Sequence, residues 1–167
     1  KLGPSVDAEA GGQPSANADG DGADEDGISL MPVFVAGQTS TVSVNVMNIN
    51  GQAIGARLAI HIDWNGDGDF DDAGEVVSTT VTDGTNGAVN LPIPVPQNAL
   101  TGSNLGFRVR LSTDANAALS ATGPAPNGEV EDYHVQVIAY DYGDLADNNT
   151  TGSYPTNLTN GSGEGVG

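Results

Sequence analysis

The sequence predicts an all-β chain folded as an antiparallel β-sandwich, and three observations carry the prediction. Apolar and polar residues alternate over several short runs, the period-2 signature of half-buried strands. Turn-forming pairs such as Asn50-Gly51, Asp83-Gly84 and Asn86-Gly87 separate the runs. No stretch shows a convincing helical period.

The elements follow in order. Residues 1–27 are polar, Gly-rich and acidic and end in the run DGDGADEDG from Asp19 to Gly27, which reads as a loop region belonging to the sandwich. Thr41 to Asn48 places Val42, Val44 and Val46 on one face. Ala56 to Trp64 puts Leu58, Ile60, Ile62 and Trp64 on one side and Arg57, Ala59, His61 and Asp63 on the other. Val76 to Val81 is a β-branched run. Ala88 to Val95 is extended, but Pro92, Pro94 and Pro96 limit it to an edge strand or a strand exit. Gly106 to Ser112 sets Phe107, Val109 and Leu111 opposite Arg108 and Arg110, on a face read as polar. Val130 to Ile138 closes the series with Tyr133, Val135 and Val137 on one face. About seven strands with one solvated face describe an immunoglobulin-like or cadherin-like sandwich, with its core over residues 28–139. Residues 140–167 turn Gly-, Asn-, Thr- and Ser-rich and read as a linker or an extended arm that docks elsewhere. Asn148, Asn149, Asn157 and Asn160 each begin an Asn-x-Ser/Thr triplet, a weak glycosylation signal in so Asn-rich a segment.

Composition narrows the function. The chain of 167 residues suits one domain. Its 22 acidic residues face 4 basic ones, for a net charge of −18. Lys1, Arg57, Arg108 and Arg110 cannot form the basic footprint that nucleic acid requires, and anionic membrane surfaces are disfavoured alike. Divalent cations are the natural counter-ions, since carboxylates are hard oxygen ligands suited to calcium. The absence of cysteine excludes disulfides and thiolate metal sites. No segment approaches the roughly 20 apolar residues of a membrane span. Low Lys with high Gly, Asn, Thr and Asp suggests a secreted bacterial protein, and a chain starting at Lys1 without a signal peptide reads as cut from a longer precursor.

The sharpest motif is DWNGDGDFDDAGE, from Asp63 to Glu75. Oxygen-bearing side chains fall at Asp63, Asn65, Asp67, Asp69 and Asp71, with Glu75 to close the set. Every-other-residue spacing with interleaved Gly66 and Gly68 lets a tight loop turn several oxygens inward, and calcium takes about six to eight of them. The loop is similar to an EF-hand loop but sits between strands, and its twelfth position is Gly74, with the Glu one place later. The bland alternative is an acidic solvated turn. A second acidic cluster holds Asp19, Asp21, Asp24, Glu25 and Asp26, and a third is Gly128-Glu129-Val130-Glu131-Asp132-Tyr133. Two readings stand for the third: Glu129 or Glu131 paired bidentately with Arg108 or Arg110, or a second cation site formed by Asp24, Asp26, Glu129 and Glu131. No arrangement points to catalysis. His61 and His134 sit in strands with no motif around them, and one Trp, four Tyr and three Phe leave little for the aromatic cleft of a glycosidase.

The string from Gly128 to Tyr133 resembles the signature of the GEVED domain, found in large secreted bacterial proteins. Ile62 to Phe70 looks like that family's central segment, and the opening Leu2-Gly3, Val6 to Glu9, Gly12 to Asn17 and Asp24 to Gly27 are also similar to it. The resemblance covers most of residues 2–138. Tyr140 to Asp144, reading YDYGD, looks like the start of such a unit. In the family this stretch comes before the LG…VDAE stretch; here it comes after, so the chain reads as cut out of register from a tandem array. The resemblance implies cell-surface or matrix proteins, adhesion and calcium dependence, with no enzymatic role. The expected function is a calcium-binding structural repeat of an extracellular adhesin or filament. Its partners would be neighbouring copies joined head to tail, with residues 140–167 adding a strand to the neighbour, and a surface glycan or protein as a further ligand. The rival expectation is a carbohydrate-binding module, which would need Trp64 or the tyrosines exposed as a platform; Trp64 instead follows the core-facing register. A secreted hydrolase is the third.

Overall fold

The computed structural model describes residues 1–4 and 26–139. Eight strands run in chain order: β1 Phe34–Val35, β2 Thr39–Asn48, β3 Ala56–Ile62, β4 Val76–Val81, β5 Thr85–Pro94, β6 Leu105–Ser112, β7 Glu129–Val135 and β8 Val137–Ile138. One short helix, α1 Ala115–Leu119, lies between β6 and β7. A four-stranded antiparallel sheet of order β4-β3-β6-β7 is accompanied by an antiparallel pair β2-β5 and a short parallel pair β1-β8. The expected all-β, sandwich-like fold is therefore the observed one.

The inward sides of the strands meet in one core. Val42, Val44 and Val46 of β2 and Leu91 and Ile93 of β5 are buried together with Leu58, Ile60 and Ile62 of β3 and Phe107, Val109 and Leu111 of β6. Phe34 fills the centre, its ring 5.7 Å from Trp64 and 6.0 Å from Phe107. Along the outer side of β2, Met47 N–H donates to Lys1 O (2.8 Å), Gly3 N–H to Asn45 O (2.9 Å) and Asn45 N–H to Gly27 O (2.8 Å). Leu2 is thereby drawn into the core, fully buried.

β5 is an edge strand, as its prolines require. The bond from Val95 N–H to Gln38 O (2.8 Å) sets the phase of the β2-β5 ladder. With Thr39 opposite Pro94 and Thr41 opposite Pro92, both prolines fall at non-hydrogen-bonded positions. Their missing N–H groups point off the sheet, where no ladder bond is lost.

The far face of the four-stranded sheet departs from expectation. Arg108 and Arg110, read as a polar face, are buried at 1% and 0% exposure, and His61 beside them is at 0%. The excursion 113–128, with α1 at its centre, covers them. Asp114 caps α1, its side chain accepting from the N–H groups of Asn116 and Ala117. The arginines and histidine then satisfy carbonyls of the excursion: Arg110 Nε donates to Ala117 O (3.1 Å) and its Nη2 to Gly123 O (2.7 Å), Arg108 Nη1 donates to Ala121 O (2.8 Å), and His61 Nε2 bonds Ala118 O (3.0 Å). Helix ends need such partners when buried. A five-residue helix is too short to show a helical period, which is why the sequence reads as helix-free.

Candidate cation site in the Asp63–Glu75 loop

The loop is pinned where it leaves and re-enters the sheet. Ile62 N–H donates to Glu75 O (2.8 Å) and Asp63 N–H to Gly106 O (3.1 Å). Two aromatic side chains hold it down: Trp64 is 3% exposed in the core, and Phe70, also buried, meets the His61 ring edge-on at 5.9 Å. Between these anchors the polar residues wind around Asp63. Its Oδ1 accepts from Gly66 N–H (2.7 Å) and Asp67 N–H (3.2 Å), and its Oδ2 from Gly68 N–H (3.0 Å). Gly66 and Gly68 adopt φ of 76° and 92°, a left-handed region that side chains disfavour. Asn65 Oδ1 accepts from Asp67 N–H (3.0 Å), Asp67 Oδ1 from Asp69 N–H (3.2 Å) and Asp69 Oδ1 from Asp71 N–H (3.0 Å).

Glu75 closes the loop from its far end. Oε1 accepts from Trp64 N–H (3.0 Å) and Oε2 from Asp72 N–H (3.1 Å). The side chain is buried, and that burial pushes its carboxyl above the usual carboxylate range. The Asp72 and Trp64 amides pull it back, and the charges on Asp63 and Asp72 add to the rise. The Asp67 amide thus links Asp63 and Asn65, and Glu75 lies within electrostatic reach of Asp63 and Asp72. Asp69 and Asp71 continue the chain of turns along a cleft lined also by Phe70, Val76 and Leu119 to Thr122. Asp72 is the residue that alternation misses. Its Oδ2 accepts from Asn65 Nδ2 (2.6 Å), and it lines a shallow cleft with Asn65 and Glu75. The Asp72–Glu75 turn, closed by Glu75 N–H to Asp72 O (3.2 Å), ends the alternation there and turns Asp72 toward Asn65.

The donor chemistry fits a hard divalent cation. Each of these side chains offers oxygen, the donor that calcium and magnesium choose. Asp63 and Glu75 are buried carboxylates with no basic partner among the described residues. Each Glu75 oxygen accepts one hydrogen bond, from Trp64 N–H or Asp72 N–H, and keeps a lone pair. As the loop stands, the described residues hold no group of three or more His, Cys, Asp or Glu side chains gathered around a common point.

The third acidic cluster resolves differently from either expectation about its arginines. Arg108 pairs with Asp132, directly opposite in the β6-β7 register, through Nε to Oδ1 (2.6 Å) and Nη2 to Oδ2 (2.5 Å). Alternation then puts Glu129 and Glu131 on the other face. There Glu129 Oε2 accepts from Leu2 N–H (2.5 Å), Glu131 Oε1 from Gly27 N–H (3.1 Å) and Glu131 Oε2 from Tyr133 O–H (2.8 Å). Burial raises the Glu131 carboxyl to about 7, against the pull of the Tyr133 hydroxyl and the Gly27 amide. Asp26 N–H also bonds Glu131, so Asp26, Glu129 and Glu131 share one neighbourhood; Asp24, the fourth expected ligand, lies outside the described residues.

Comparison with curated proteins finds no match. The family comparison is positive: residues 57–136 match the model of the GEVED domain. From Arg57 in β3 to Gln136 just past β7, enclosing the Asp63–Glu75 loop and the Gly128 to Asp132 string, the chain carries a GEVED domain.

Proposed function

We propose that this chain is a calcium-binding structural module of an extracellular bacterial protein, an adhesin or filament whose copies are arranged head to tail, with no catalytic role. The observation that carries the reading is that Asp63 and Glu75, buried at the closure of an oxygen-rich loop, meet amide N–H groups but no basic partner among the described residues. Buried like charges destabilise a fold unless a counter-ion answers them. Asp63, Asn65, Asp67 and Glu75 would hold the ion, with Asp72 beside them. Bound calcium supplies the positive charge that the loop lacks. The chain's part is to fix the loop: Trp64 and Phe70 anchor it, and the Gly66 and Gly68 amides orient Asp63. Asp26, Glu129 and Glu131 are the described members of the second candidate position. The rival reading, a carbohydrate-binding module, needs an exposed aromatic platform, and the single tryptophan is in the core.

Thermal unfolding in calcium and in chelator tests the proposal. At a free ion concentration one hundred times Kd, binding to the folded state alone adds about 2.7 kcal/mol, a rise in midpoint on the order of 10 °C. Asp67→Ala and Glu75→Gln lose most of that rise. Superimposable curves with and without calcium would overturn the proposal.

A further inference from the structure

The two edge strands on one side of the sandwich differ in how they are protected. On β5 the outward backbone positions include Pro92 and Pro94, which offer no N–H to a newcomer. β4 is the other edge. Ile62 N–H to Glu75 O fixes the phase of the β3-β4 ladder, so Val77, Thr79 and Val81, opposite Ile60, Leu58 and Ala56, bond to β3. The N–H and C=O groups of Val76, Ser78 and Thr80 point away from the sheet, and all three residues are exposed. The strand reads VVSTTV, rich in β-branched residues and free of charge and proline. Such an edge is a template for another strand unless it is blocked.

Charge selects the occupant. Two copies pairing β4 to β4 antiparallel would bring Asp72 and Glu75 of one toward Asp83 of the other, which is unfavourable for a chain of net charge −18. The chain contains one long uncharged stretch of its own beyond the described fold, the 16 residues Asn148 to Gly163. It belongs to the 28 residues that follow Ala139, a length that reaches roughly 90 Å when extended. We infer that the outer edge of β4 accepts the 148–163 segment of a neighbouring copy as an added strand. This rests on the head-to-tail part of the proposed function and not on its calcium site.

The test uses the full chain, with light scattering across a concentration series and amide hydrogen exchange. The expected result is concentration-dependent association in which the Ser78 and Thr80 amides become protected. Ser78→Pro, which removes an outward N–H, and Thr80→Lys, which sets a charge on the edge, abolish association while circular dichroism stays native. Asn90→Pro, on the outward side of β5, leaves association intact. Thr80→Lys decides the matter if Ser78→Pro fails to fold. A chain that stays monomeric, protection of Ser78 and Thr80 already present in the monomer, or association that survives in a folded edge variant overturns the inference. Association surviving in Thr80→Lys alongside a normal calcium-induced thermal shift sinks the edge assignment and leaves the calcium site standing.

Discussion

Arg108 and Asp132 form a two-pronged ion pair in which both side chains are sealed beneath the α1 excursion. Removing one partner of such a pair strands the other charge in a poor dielectric. Arg108→Met is expected to cost about 3–5 kcal/mol, read by urea unfolding. His61 gives the molecule an acid limit. Burial lowers its pKa from 6.5 to about 4, with Arg110 and Arg108 adding to the fall against the pull of the Ala118 carbonyl. Its Nδ1 has no hydrogen-bond partner among the described residues. The unfolded chain therefore binds more protons between these two values, so this contribution is complete above about pH 6.5 and is lost as pH falls toward 4. The loss amounts to at most about 3 kcal/mol. Urea titrations over that range, in chelator, are expected to show the parent chain losing stability relative to His61→Gln as pH falls, while the raised Glu131 carboxyl works in the opposite sense in both proteins.

At the scale of elements, the covering excursion hangs on two small features. Asp114 is the N-cap of α1, and Asp114→Ala is expected to cost about 1 kcal/mol. Gly128 is the tighter constraint, because a β-carbon there would collide with the backbone of Leu111 and Ser112. Gly128→Ala must move the β6 backbone or the entry to β7, and it is expected to destabilise more than the cap variant in the same denaturation series. The strands were largely legible: alternation in β2, β3 and β6 marks the faces that form the core, and the proline series marks an edge. Alternation says which residues share a face but not whether a further layer covers it, so Arg108 and Arg110 read as a polar face when they are buried. In the loop the same rule runs through Asp63, Asn65, Asp67, Asp69, Asp71 and Glu75 and passes over Asp72, whose bond to Asn65 follows from a turn set by a backbone bond rather than by composition. Glu129 and Glu131 bond to the amides of Leu2 and Gly27, more than a hundred positions away, a pairing that local pattern cannot show. The two-residue strands β1 and β8 are too short for any period to register.

Across the whole molecule, a net charge of −18 makes the compact state repel itself. Screening by salt weakens that repulsion. In chelator, added sodium chloride is therefore expected to raise the thermal midpoint. With calcium present the increment from salt is smaller, since two positive charges per ion have already answered part of the excess. Equal increments under both conditions would show that the ion is not held at the acidic loop. Sodium and calcium thus separate a diffuse atmosphere from a seated ligand in one pair of melting curves.

The only tryptophan of the chain is tied to the acidic loop by two bonds, its backbone N–H to Glu75 Oε1 (3.0 Å) and its indole Nε1–H to Gly74 O (3.2 Å). Any rearrangement of Glu75 changes the electrostatic surroundings of that indole. Trp64 is accordingly a built-in optical reporter. Its emission should shift as the loop loads and stay silent in Glu75→Gln, which makes occupancy readable by fluorescence in a chain carrying no label.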